Sequence, residues 1–123
     1  MTILRELESG GWAVADTDVS AITLLDAAVD TGAGSNYDLG ESRSRFTCAV
    51  EWGGATPTST TVKLQGSIDN VLWADLQTVV VSASGTMFHV IEKLVRYIRG
   101  NYVSKVGGDA TTSVTMKCQA GGN

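Results

Sequence analysis

Apolar and polar residues alternate along most of this chain with a period of two, the pattern of strands with one buried face. Residues 45–52 show it most clearly: Phe46, Cys48, Val50 and Trp52 fall on one face, Thr47, Ala49 and Glu51 on the other. Residues 60–66 repeat it, with Val62 and Leu64 set against Lys63 and Gln65. Asp69-Asn70 then supplies a tight turn, because both residues tolerate left-handed backbone and bond their own main chain. Trp73 follows the turn and is expected to fold back as an apolar plug at one end of a sheet pair. Residues 76–82 form a Val-rich strand, and 112–119 a last alternating one.

The remaining segments are read from weaker signals. Residues 21–25 suit a strand, while 25–29 fit either its continuation or a helical turn. Residues 30–36 are a loop by composition. Tyr37 to Leu39 is a short strand closed by Gly40, and residues 41–44 a polar turn. Residues 53–59 are a mobile loop closing a hairpin between its flanking strands; 83–86 and 107–109 are turns. Between 88 and 105, Val90, Ile91, Leu94, Val95, Ile98 and Tyr102 have near-helical spacing. The β-branched and aromatic content and Gly100 favour two strands instead, 87–91 and 95–103, kinked at Glu92-Lys93. The sum is an all-β fold: an antiparallel β-sandwich or jelly roll of about eight short strands.

Residues 1–16 read as an N-terminal arm separate from a sandwich domain over 17–123. Ile3, Leu4 and Leu7 share one face of a single helical turn, too short to hold alone. Gly10-Gly11 is a joint before Trp12. One reading is a frayed terminus. The other is an arm ordered against a neighbouring subunit, with Ile3, Leu4, Leu7 and Trp12 as its anchors.

Composition narrows the classes. The chain has 123 residues, 43% hydrophobic, with 14 Gly and a single Pro, which suits one domain of short strands. Its net charge of −4 counts against a nucleic-acid binder. No apolar run approaches the roughly 20 residues of a membrane span, and the N-terminus lacks the form of a secretory signal. Production in a cytoplasm is expected. Cys48 and Cys118 both fall on apolar strand faces, which favours buried free thiols over a disulfide joining the two strands.

Candidate chemistry is sparse. The chain has no nucleophile-elbow motif, and Ser67 sits at a hairpin. His89 is the single histidine, expected to be structural or exposed. One His and two dispersed Cys do not make a zinc set, and Asp16 and Asp18 lack a following calcium loop. The glycine pairs lie in turns without the helix start that phosphate binding requires. Lys93, Arg96 and Arg99 are solvated or salt-bridged residues, or rim charges facing an acidic partner; in a regular strand 96 and 99 point to opposite faces unless a bulge intervenes. The expectation is a protein without enzymatic activity or cofactor.

The run from Thr61 to Asp69-Asn70, then Trp73 and Leu76, followed after a strand by Val95-Arg96-Tyr97-Ile98-Arg99, resembles a pattern recurrent in phage virion proteins. Among them are the small jelly-roll capsid cement, or decoration, proteins of tailed phages. The 37–40 strand ahead of 46–52 fits the same layout, so the resemblance covers roughly 35–118. It implies a homo-oligomer, dimer or trimer, that binds the major capsid protein on the outer capsid surface and stabilises the head; a tail or neck component is the alternative within the phage class. The Ser67-x-Asp69 turn with Trp73 and the Arg96-Tyr97-Ile98-Arg99 strand also resemble discoidin-like galactose-binding jelly rolls. That likeness implies a carbohydrate-binding module, with Trp12, Tyr37, Trp52 or Tyr102 as stacking platforms. Both motifs carry architecture, and function follows from them only by analogy.

Overall fold

A computed structural model of the chain describes residues 19–121 and two short strands ahead of them, β1 (Arg5–Glu6) and β2 (Trp12–Ala13), which pair antiparallel. The described body is built from β3 (Val19–Ala28), β4 (Gly32–Ala33), β5 (Tyr37–Arg43), β6 (Arg45–Gly53), β7 (Pro57–Ser67), β8 (Ala74–Val81), β9 (Thr86–Val90), β10 (Val95–Gly107) and β11 (Ser113–Gly121). They form two antiparallel sheets. The four-stranded sheet has the order β3-β11-β6-β9; the five-stranded sheet runs β4-β10-β7-β8, with β5 also pairing β10.

The alternation along each strand decides which side chains meet between the sheets. From β6 come Phe46, Cys48 and Val50; from β11 Val114, Met116, Cys118 and Ala120; from β7 Val62 and Leu64; from β10 Ile98 and Tyr102. Gly100 takes its place in this layer because a side chain there would press on Leu24, Leu25 and the Met116 sulfur, 3.1–3.2 Å away. Cys48 and Cys118 are register partners on β6 and β11, both buried and both free. The Cys118 thiol and then burial push the Cys48 thiol well above its ordinary value, so it behaves as a small hydrophobe.

Several sequence expectations are corrected. The 53–59 segment closes no hairpin: β6 and β7 belong to opposite sheets, and the chain crosses between them at Gly54. Gly54 has φ +68, and a Cβ there would overlap the Thr111 carbonyl. Residues 41–44 are not a turn, since β5 continues to Arg43, through Gly40 at φ +84. Arg43 is 5% exposed, with Nη1 3.0 Å from Glu41 Oε1, so the apparent polar turn hides a buried cation beside its counter-ion. The 25–29 stretch is strand to Ala28, bent by register shifts and by Ala27 at φ 47, with no helical turn. The 30–36 loop contains the two-residue β4. By contrast, residues 88–105 are two strands as expected, broken at Glu92, whose φ of 62 turns the chain between β9 and β10. Trp73 is not a core plug but a half-buried side chain outside the core cluster.

Candidate functional site

The least covered apolar side chains gather at one end of the sandwich. Ile68, Val71 and Leu72 follow β7 and are 77%, 73% and 74% exposed. Ile91 and Leu94, in the β9–β10 connection, are also exposed. Register places the two segments together, since Tyr97 of β10 pairs Ser67 of β7 and Val95 packs over Gly66. The same end receives the chain at Val19, because β3 begins beside Ala120 and Ala120 pairs Phe46 at the start of β6.

Local hydrogen bonds hold this apolar tip in a single shape. The Asp69 and Asn70 amides donate to Ser67 Oγ at 3.2 and 2.8 Å, and the Ser67 hydroxyl donates to Asp69 Oδ1 at 3.0 Å. The Val71 and Leu72 amides both donate to Asp69 Oδ1 at 2.9 Å. Asn70 adopts φ 64, and its Oδ1 accepts from Asn36 Nδ2 at 2.9 Å, so the loop reaches across β10 towards β5. A flexible loop would fold its apolar side chains inward. This one is anchored with three of them facing water.

Charged and aromatic groups border the tip. Arg99 Nε donates to Gln65 Oε1 at 2.8 Å, and its guanidinium lies 4.3 Å from the centre of the Trp73 ring. Gln65 Nε2 and Lys63 Nζ both donate to Asp75, at 2.8 Å each. Arg96 forks onto the two oxygens of Asp38 at 2.8 and 3.1 Å. The bulge between Val95 and Tyr97 turns Arg96 outward, so Arg96 and Arg99 share the outer surface. Lys93 is exposed on the β9–β10 connection, its amide donating to the Ser44 carbonyl. Arg99 thus lies beside Trp73, Arg96 beside Asp38 of β5, and Lys93 in the β9–β10 connection.

Of the proposed arm anchors, Ile3, Leu4 and Leu7 lie outside the described residues. Trp12 belongs to β2 opposite Glu6, and its side chain also lies outside them. Asp16 and Asp18 lie outside them as well. Tyr102 is 1% exposed and Trp52 packs against the core with Nε1 donating to Thr60 Oγ1, so neither is a stacking platform; Tyr37 is exposed. His89 is exposed and its Nδ1 lies 3.0 Å from the Thr47 hydroxyl. Among the described residues no three His, Cys, Asp or Glu side chains gather as a metal-ligand set. Sequence reasoning missed Ile68, Val71 and Leu72 because period-two patterning assigns exposed apolar turn residues no role. The available signal was three apolar residues around an Asp-Asn turn.

Four surface carboxylates are held below the ordinary aspartate range. The Leu72 amide and then that of Val71 do so for Asp69, Arg96 for Asp38, Gln65 and then Lys63 for Asp75, and Thr111 for Asp109. A carboxyl whose folded value is depressed stabilises the fold above its unfolded value of about 3.9, and that contribution disappears as pH falls through the folded value. The melting temperature is therefore expected to drop on acidification below about pH 4. Thermal melts across that range check it; a midpoint unchanged or raised at acid pH contradicts the assignment.

No protein-family model matches the chain, and no curated protein matches it in sequence. Solved structures share its fold, that of a jelly-roll β-sandwich. The SPBc2 prophage-derived protein YomS superposes with a TM-score of 0.59 at 17% identity, over 88% of this chain and 97% of its own. The PBSX exported protein XepA gives 0.57 at 14% identity over 94% of this chain, which spans 42% of XepA's length. The module CBM32-1, from a family 31 glycoside hydrolase of Clostridium perfringens, gives 0.54 at 9% identity over 83% of this chain and 94% of its own. Both resemblances seen in the sequence, to phage jelly rolls and to discoidin-like modules, are thus matched at the level of the fold.

Proposed function

We propose that the protein is a non-enzymatic structural component of a phage particle, a capsid cement that binds the major capsid protein on the outer surface and bridges subunit joints. The observation that carries this reading is the anchored apolar tip of Ile68, Val71 and Leu72, and Lys93, Arg96 and Arg99 supply rim charges to the same contact. A preformed tip loses little conformational freedom on docking, so most of its burial is retained as affinity. The described body begins at Val19 at the tip's end, and the reading assigns Ile3, Leu4, Leu7 and Trp12 to the same contact. Each contact is modest, but repetition over a lattice and bridging of two subunits raise the effective affinity. The fold shared with the SPBc2 prophage-derived protein YomS supports a phage setting.

Electron microscopy of purified particles labelled through this protein tests the reading. Label over the faces of the head is the expected result. Label confined to the tail or neck would replace the cement role by a tail or neck role, and unlabelled particles would overturn both. The CBM32-like fold and the exposed Tyr37 favour one competing reading, a glycan-binding module. Glycan-array binding lost in Tyr37→Ala, with heads unlabelled, would establish it instead.

A further inference from the structure

One flank of the sandwich differs from the rest of the surface. β8 closes the five-stranded sheet and β9 the four-stranded sheet, and the two touch, so both edges lie on the same side. No Asp, Glu, Lys or Arg stands between Asp75 and Glu92, a stretch that holds all of β9 and β8 from Leu76 onward. Exposed apolar side chains stand here among neutral polar ones: Val80 is 65% and Met87 59% exposed, beside exposed Gln77, Thr78 and His89. An edge strand carries a row of backbone donors and acceptors without ladder partners, which soluble proteins guard with charge, proline, bulges or brevity. From Gln77 to Val81, β8 is regular, paired to β7 without a shift, and has none of these guards.

The other flank is defended. β3 is bent by three register shifts and by Ala27, and carries exposed Asp26. β5 is interrupted by Gly40 and carries Asp38, Glu41 and Arg43, while β4 is two residues long. A chain of net charge −4 repels its own copies over most approaches. The β8–β9 flank is the approach on which that repulsion is least and unpaired backbone is most available.

We propose that this flank is a self-association surface: β8 of one copy pairs antiparallel with β8 of a second about a two-fold axis, continuing the five-stranded sheet across the join, with the β9 edges above it. Such an interface is isologous, and centred on the uncharged 77–81 stretch β8 meets itself without like-charge contacts. It stands whether or not the protein decorates a capsid, and it leaves the tip free for another partner.

Light scattering on the full chain after size exclusion tests it, with two charged variants. Wild type is expected at twice 12.9 kDa. The double variant Val80→Lys/Met87→Lys is expected to raise the dissociation constant about a hundred-fold or more, through like charges facing across the join. Val71→Lys, equally exposed but on the tip, is expected to keep the wild-type mass. Should the double variant fail to fold, hydrogen exchange on wild type gives the same reading, because those amides of residues 77–81 that point away from β7 gain protection as concentration rises. A monomeric wild type, an unchanged mass in the double variant, or concentration-independent exchange along β8 would overturn the proposal.

Discussion

Phe46→Ala is expected to lower the unfolding free energy by about 3–5 kcal/mol. Phe46 is 2% exposed, on a strand with neighbours on both sides, and its register partners are Ala120 and Val90. Neither is long enough to collapse into the space the ring leaves, so the cost includes a cavity as well as lost transfer energy. A domain of this size holds only about 5–15 kcal/mol in total, so the change removes a large share of it and lowers the melting temperature by roughly 10–20 °C. Denaturant titration should show a lower midpoint at an unchanged slope. Glu51→Ala, exposed on the opposite face of the same strand, is expected to stay within about 0.5 kcal/mol. Equal losses in the two variants would mean that the inward face of β6 has been misassigned.

That experiment bears on what was legible in the sequence. Alternation alone identified the inward face of β6, since Phe46, Cys48 and Val50 are buried as a period-two reading requires. The Asp69-Asn70 turn was legible because its chemistry is local. What stayed hidden depends on the other sheet. Nothing near Gly53-Gly54 distinguishes a hairpin from a crossover; the difference lies in β6 pairing β9 and β11 while β7 pairs β8 and β10. Arg43 looked like a turn residue because its burial rests on Glu41 two positions away and on strands far along the chain. The outward turn of Arg96 needed a bulge, whose position is set by pairing with β5. Trp73 was expected inside from its size, yet Arg99 holds it on the outer surface by lying against its ring.

The candidate site shows the same division. The sequence offers Lys93, Arg96 and Arg99 as rim charges but does not point to the apolar tip, so the sharpest functional experiment is directed at the tip. The triple variant Ile68→Ser/Val71→Ser/Leu72→Ser is expected to weaken binding to phage heads by about a hundred-fold or more while leaving the denaturation midpoint nearly unchanged. Full burial of one large aliphatic side chain is worth about 1.5–3 kcal/mol, and a hundred-fold loss is about 2.7 kcal/mol, so burial of the tip need be realised only in part. Stability stays put because the three side chains are about three-quarters exposed and the turn is held by Ser67 and Asp69, which the variant keeps. Deleting residues 1–12 in parallel separates the two parts of the contact: a loss comparable to the triple variant assigns the arm anchors Ile3, Leu4, Leu7 and Trp12 a share of the affinity. Truncated protein that decorates heads as tightly as the full chain would remove the arm from the mechanism. A triple variant that binds at full strength would remove the tip, because no docking mode that buries these three side chains is indifferent to making them polar.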